Sequence, residues 1–371
     1  MNVILDVVVA CLVGCFAIFG IARLWAYLEL VPTGQDRTDF FLTQDGQRLA
    51  IHRYVPEEAP KGKPVILCHG LASNRYIFDM NPAPSLAEYL RSRGHDVWVA
   101  ELRGSGLSAG PGLLLSDSAL RWGFDDHLDS DLDAVIDHVT EQTRKDSAHW
   151  VGHSMGGMLI EAYLARNHSR KIASAVAIGC PVDFSKMNSP SFKHLLKMRW
   201  VLRLLPFNPL IPMAKCFIPL GRIAPNILSA YCCLENIDWN VARKIMALGV
   251  EFLSSSVLWL DMGRFLQEGK FADRSGKLYL QGIEQSDTPL LAICGTKDNM
   301  APKSAVLGVF ERRNGSCVTE SLILGKDSGC LQDYGHLDLL IATRAQKEVF
   351  PSIHNWLTRW DEPLERQDRK K

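Results

Sequence analysis

The sequence predicts an α/β protein: a mainly parallel central sheet, helices on both of its faces, and a helical insertion late in the chain. Three observations predict it. Short continuous apolar runs, such as residues 64–68 and 289–294, suit strands buried on both faces. These runs alternate with amphipathic stretches, which implies right-handed crossovers between parallel strands. Residues 181–288 then pass without a clear strand, an interval far beyond ordinary connection lengths.

The elements follow in order. Residues 39–55 read as a hairpin turning at Asp45-Gly46, and residues 64–68 as a buried strand that stops at His69-Gly70. Residues 86–93 read as a helix and 96–101 as the next strand. Leu128, Leu132, Val135, Ile136 and Val139 share one face at helical spacing. A brief strand, 149–151, leads through Gly152 into a helix over 155–165. Residues 173–178, 289–294 and 318–324 supply three more strands. The chain therefore divides into an N-terminal apolar segment (1–30), a core in two parts (38–183 and 288–360) and a helical cap (184–287).

Composition narrows the function. With 41 basic and 41 acidic residues the formal net charge is zero, and no basic block with interleaved aromatics is present. Nucleic-acid binding is not expected. The 10 cysteines form no C-x-x-C pair and no zinc-spaced cluster. Cys68, Cys180 and Cys294 end strand-like runs and read as buried free thiols, which favours a reducing compartment for the domain.

Residues 7–22 are uninterruptedly apolar, and Leu-Trp-Ala-Tyr-Leu follows Arg23. With Arg23 snorkelling and Trp25 and Tyr27 at the interface, the stretch reaches the roughly 20 residues a bilayer span needs. A cleaved signal is the main rival, but residues 1–6 lack a basic region. A retained single-pass anchor is the expectation, with Arg23 placing the catalytic domain on the cytoplasmic side.

Gly152-His-Ser-Met-Gly156 matches G-x-S-x-G between a strand and a helix, a tight turn that lifts a serine hydroxyl to the top of a sheet. A serine needs a base, and the base an orienting carboxylate. Gly295-Thr-Lys-Asp298 follows one predicted strand, and Asp333-Tyr-Gly-His336 follows the next. Ser154, Asp298 and His336 are the candidate triad, with Asp183 as the reserve acid. The developing oxyanion also needs donors: the backbone N–H of Met155, and that of Leu71 in the loop after the first buried strand. His69 and His153 read as structural.

His69-Gly70, Glu101-Leu-Arg-Gly-Ser-Gly-Leu-Ser108, Gly152 to Gly156, Gly295 to Asp298 and Gly335-His-Leu-Asp-Leu-Leu340 together resemble the alpha/beta-hydrolase superfamily. The likeness is nearest to acid-lipase and esterase-like members and covers residues 39–360 apart from the cap. It implies the alpha/beta-hydrolase fold, an acyl-serine intermediate on Ser154, and no metal or organic cofactor. It also implies that Arg103 braces its loop rather than reacting. The expected reaction is hydrolysis of a lipophilic carboxylic ester. Acyl transfer and thioester cleavage use the same triad, and a non-catalytic ligand-binding protein of this fold is the alternative from another class.

The cap carries one further pattern. Residues 184–234 hold Lys186, Lys193, Lys197, Arg199, Arg203, Lys215 and Arg222 among large apolar residues, with no acid before Glu235. Such a surface suits anionic lipid. Apolar packing onto the sheet, with the lysines in solvent, accounts for the pattern equally well.

Overall fold

The computed structural model describes residues 24–80, 84–108, 121–167, 171–187, 229, 231–251, 255–310, 312–313 and 318–361, with isolated positions before residue 24. Eight strands form one sheet: β1 (Arg37–Leu42), β2 (Arg48–Tyr54), β3 (Val65–Cys68), β4 (Val97–Glu101), β5 (Ala148–His153), β6 (Ile172–Ile178), β7 (Leu290–Gly295) and β8 (Thr319–Leu324). Their order is β1-β2-β4-β3-β5-β6-β7-β8. The β1–β2 and β2–β4 pairings are antiparallel, and the others are parallel.

The hairpin turns at Asp45-Gly46, where Gly46 takes φ +81°. Strand β3, at the centre, is buried throughout, as continuous apolar runs between helical layers must be. Helix α1 (Leu86–Arg91) is capped by Ser85, whose hydroxyl accepts the Glu88 N–H. Helix α2 (Leu132–Thr143) buries the apolar stripe read from spacing, Leu132, Val135, Ile136 and Val139. Leu128 belongs instead to a π-helical turn, His127–Asp131, that precedes it. Helix α3 (Met155–Asn167) follows β5 directly, and α6 (Phe350–Arg359) is the last of the described helices. Trp98 and Trp150 fill the core beside α2 and α3, while Tyr54, Tyr334 and Phe350 fill the opposite face.

Strand β5 runs through His153 rather than ending at residue 151; its polar ends bond into neighbouring elements instead of facing solvent. Between β6 and β7, the described residues add no strand to the sheet. They contain α4 (Trp239–Lys244) and α5 (Ser256–Glu268). Cys68, Cys180, Cys232 and Cys294 are buried free thiols. Among the described residues no helix is long and apolar enough to cross a membrane. The expected anchor falls largely on residues 1–23, nearly all outside the described set, and so do Lys193, Lys197, Arg199, Arg203, Lys215 and Arg222.

Candidate active site

Ser154 stands at the junction of β5 and α3 with φ +53°, a left-handed conformation that costs an L-residue about 1–2 kcal/mol. Its N–H donates to the Ile178 carbonyl (2.8 Å), and its own carbonyl accepts from Gly157 and Met158. The flanking glycines are steric necessities. A Cβ on Gly152 would run into the Gly156 backbone, and one on Gly156 into the Cys68 and His69 carbonyls.

Asp298 follows β7 and is almost fully buried. Its Oδ1 accepts the N–H groups of Met300 (2.9 Å) and Ala301 (2.7 Å). Its Oδ2 lies 2.8 Å from His336 Nδ1, so the proton of that bond sits on Nδ1. The two loops are tied together by the Lys297 N–H, which donates to the Tyr334 carbonyl (2.9 Å). His336 packs at 4.7 Å between ring centroids against His153, the residue just before Ser154. The structure thus gathers Asp298 and His336 into one hydrogen bond beside the elbow. Asp183 is elsewhere: its carboxylate holds Ser185 N–H and Lys186.

His69 and His153 are buried and neutral. Burial brings His69 down to about 4; its Nδ1–H donates to the Gly70 carbonyl (2.8 Å) and its Nε2 accepts from Leu102 N–H (3.2 Å). Burial, with His336 alongside, brings His153 down to about 3. Its Nε2–H donates to the His336 carbonyl (3.1 Å). Both rings brace loops. Leu71 follows Gly70, whose hypothetical Cβ would lie 2.9 Å from Ser154 Cβ. Met155 opens α3. Among the described residues no hydrogen bond uses the N–H of Leu71 or of Met155.

Several contributors escaped sequence reading. Gly179 has φ +58°, and a Cβ there would lie 3.1 Å from His336 Nδ1 and 3.2 Å from Asp298 Oδ2. Buried Asp338 accepts Gly335 N–H (2.9 Å) and Asn236 Nδ2 (2.7 Å), tying the His336 loop to the segment between β6 and β7. Glu251 does the same for the Leu71 loop. Its N–H donates to the Ala72 carbonyl (2.8 Å), and its Oε1 accepts from Asn74 (2.7 Å) and Gly106 N–H (2.6 Å). The sequence did carry a signal for Asp338, two residues after His336. It carried none for Glu251, whose bonds to Ala72, Asn74 and Gly106 all reach far along the chain.

Arg103 is buried and forked. Its Nε and Nη2 reach Asp131 Oδ1 at 2.8 and 2.7 Å. Its outer nitrogens reach Asp45 at 2.7 and 3.0 Å. Burial opposes its charge, but the two carboxylates more than offset that and raise its pKa. It ties the loop after β4 to the β1–β2 turn and to the π-helical turn that precedes α2.

A model of the alpha/beta hydrolase fold family matches residues 63–327. Triacylglycerol lipase 1 of Arabidopsis thaliana is 33% identical over 335 residues, covering 83% of each chain. Human gastric triacylglycerol lipase is 33% identical over 355 residues, covering 84% of this chain and 85% of that one. Among solved structures, a membrane phospholipase A shares the fold at a TM-score of 0.56, with 14% identity over 98% of each chain. A putative lipase from Acinetobacter baumannii does so at 0.55, with 15% identity over 94% of this chain and 96% of that one. With the family model spanning more than half of the chain and relatives 33% identical over 83–84% of it, the chain belongs to the alpha/beta-hydrolase family.

Proposed function

We propose that the protein is a serine hydrolase of lipophilic carboxylic esters, with Ser154 as nucleophile, His336 as base and Asp298 as its orienting carboxylate. The observation that carries this is the His336–Asp298 hydrogen bond beside a serine held in left-handed backbone. Asp298 fixes the proton on Nδ1, which leaves Nε2 of His336 to take the Ser154 proton as Oγ attacks the ester carbon. The N–H groups of Leu71 and Met155 hold the resulting oxyanion. When the intermediate collapses, the C–O bond to the alcohol breaks, and the alcohol leaves with the proton from His336. Water then gives a proton to His336 and attacks the acyl-serine. Collapse of the second intermediate frees the acid, and Ser154 Oγ recovers its proton from His336.

The lipophilic class is supported by the similarity to lipases over 83–84% of the chain. The segment between β6 and β7 is a cap over the strand ends, with residues 184–287 as its span. The N-terminal segment is a membrane anchor, with the domain on its cytoplasmic side. In support, its described end leaves Leu24, Tyr27 and Leu28 exposed. The same end is fastened to the domain by Glu29, 2.7 Å from Arg243 of α4.

The test is a fluorescent fluorophosphonate on wild type and Ser154→Ala, with nitrophenyl esters of increasing chain length alongside. Labelling lost in the variant, and turnover favouring longer chains, is the expected result; an unlabelled wild type overturns the assignment. For the anchor, deleting residues 1–28 abolishes flotation with uncharged phosphatidylcholine liposomes, which offer the basic cap residues no anionic surface, and retained flotation overturns it.

A further inference from the structure

A second histidine–aspartate pair lies beside the elbow, on residues that the proposed reaction does not use. His127 opens the π-helical turn before α2, so residues four apart meet across a widened turn. Its Nδ1–H donates to Asp131 Oδ2 (2.8 Å). That oxygen also accepts the Arg103 N–H (3.1 Å), and Oδ1 is held by the Arg103 guanidinium. Asp131 is therefore acceptor only, and the His127 proton sits on Nδ1. The other nitrogen, Nε2, then carries a lone pair in the neutral ring.

That lone pair is buried and, among the described residues, has no partner. His127 is 1% exposed, and a buried polar atom left unmet is destabilising, so the site favours a donor that meets it. The ring is also held from the side, by Trp122 edge-on at 5.0 Å. His127 lines a small cavity of about 10 Å³ whose other walls include Gly70, Ala72, Ser105, Met155 and Glu251. Those walls adjoin both N–H groups assigned to the oxyanion. The volume is about what one water-sized oxygen needs.

We propose that this cavity is a hydroxyl-recognition subsite: a substrate hydroxyl near the scissile ester donates to His127 Nε2 while Asp131 holds the ring. The inference rests on the esterase assignment above. The hydroxyl can come from either half of an ester, as a free glycerol hydroxyl on the alcohol side or a β-hydroxyl on the acyl side. A site built to accept from a hydroxyl discriminates against analogues lacking it, because its buried acceptor is then left unmet.

The experiment measures kcat/KM of the full chain on three esters of one acyl length: a monoacylglycerol, the simple ethyl ester, and the ethyl ester of the β-hydroxy acid. Each hydroxylated ester is expressed as a ratio to the simple one, so differences in the folded fraction cancel. In His127→Asn the side-chain amide keeps the bond to Asp131 and deletes Nε2. One of the two ratios is expected to fall about tenfold, and which one falls identifies the source of the hydroxyl. In His127→Gln the amide oxygen reaches the place of Nε2, and that ratio is expected to recover in part. If both ratios stay within about twofold of wild type in His127→Asn, the cavity holds water only and the proposal is overturned while the esterase assignment stands. If the wild type cleaves none of the three, the esterase assignment falls and the subsite with it.

Discussion

Two buried histidine–aspartate pairs stand at one edge of the sheet, and they are wired differently. Asp298 is held by two backbone N–H groups and by His336, and among the described residues no lysine or arginine pairs with it. Asp131 is gripped by the Arg103 guanidinium as well as by His127. The consequence is electrostatic. A carboxylate without a cation partner keeps its field for an imidazolium forming beside it, as a general base requires. A carboxylate neutralised by arginine positions its histidine through a hydrogen bond while lending it little charge. The same two residue types thus make a base in one place and a fixed acceptor in the other.

Replacing each aspartate by asparagine tests that difference most severely. Asp298→Asn removes the charge and misorients the imidazole. It is expected to lower kcat/KM by about 10³–10⁴, with a modest effect on urea stability. Asp131→Asn leaves Arg103 buried with Asp45 as its remaining carboxylate partner. Its main cost is therefore in stability, about 3–5 kcal/mol, with a far smaller loss of ester turnover per folded molecule. Steady-state kinetics beside urea denaturation of both variants decides it, and the reverse pattern would break the comparison.

A third buried carboxyl sharpens the contrast because it has neither kind of partner. Glu161, on α3 beneath the elbow, is in contact with the Cys180 thiol at 3.2 Å. Burial pushes its carboxyl up to about 8, with Cys180 and the more distant Arg313 only partly opposing this. A carboxyl raised on folding favours the protonated native state. Its contribution is full below the unfolded pKa, near 4.5, and is lost as pH rises to about 8. Glu161→Gln removes that loss while keeping an oxygen for Cys180. Its stability relative to wild type is expected to climb between pH 4.5 and 8, reaching roughly 4 kcal/mol. Urea midpoints that run parallel across this range for the two proteins would show that Glu161 titrates normally.

Gly179 probes the His336 pair alone. A methyl group there meets both His336 and Asp298 just above 3 Å and sits on left-handed backbone. Gly179→Ala is expected to lower kcat by roughly 10–100-fold through misplacement of the dyad, while KM changes little. An equal rise in KM would place the damage in substrate binding instead.

How far these arrangements are legible without coordinates depends on the range of the interactions. The elbow, the strand ends and the hairpin turn are local, so glycine placement and apolar runs reveal them. Asp298 and His336 are 38 residues apart. They were still readable, because each follows a strand of a sheet whose ends must share one edge. Gly179 carries no such signal: its need for glycine comes from two loops elsewhere in the chain. The His127–Asp131 pair was half legible as an i, i+4 spacing on a predicted helix. The fork of Arg103 that distinguishes it from the other pair joins the β1–β2 turn, the loop after β4 and the π-helical turn, which spacing cannot show. The segment between β6 and β7 was least legible. Its contacts through Asn236 and Glu251 span 102 and 145 residues, although α5 itself buries Leu258, Met262 and Phe265 at helical period.

The smallest expected effect lies at the outer end of the same network. Asp45 takes both outer nitrogens of Arg103, yet its side chain is 41% exposed, while that of Arg103 is 3% exposed. Solvent screens the pair from the Asp45 side, so Asp45→Asn is expected to cost no more than about 1 kcal/mol and to leave ester turnover unchanged. The reason is that Asp131 remains to compensate the guanidinium, and an asparagine oxygen can still accept one of its N–H groups. A urea midpoint shift as large as that of Asp131→Asn would mean that the two carboxylates share the charge of Arg103 equally. Asp131 would then be less neutralised than its geometry indicates, and His127 would lie closer in character to His336.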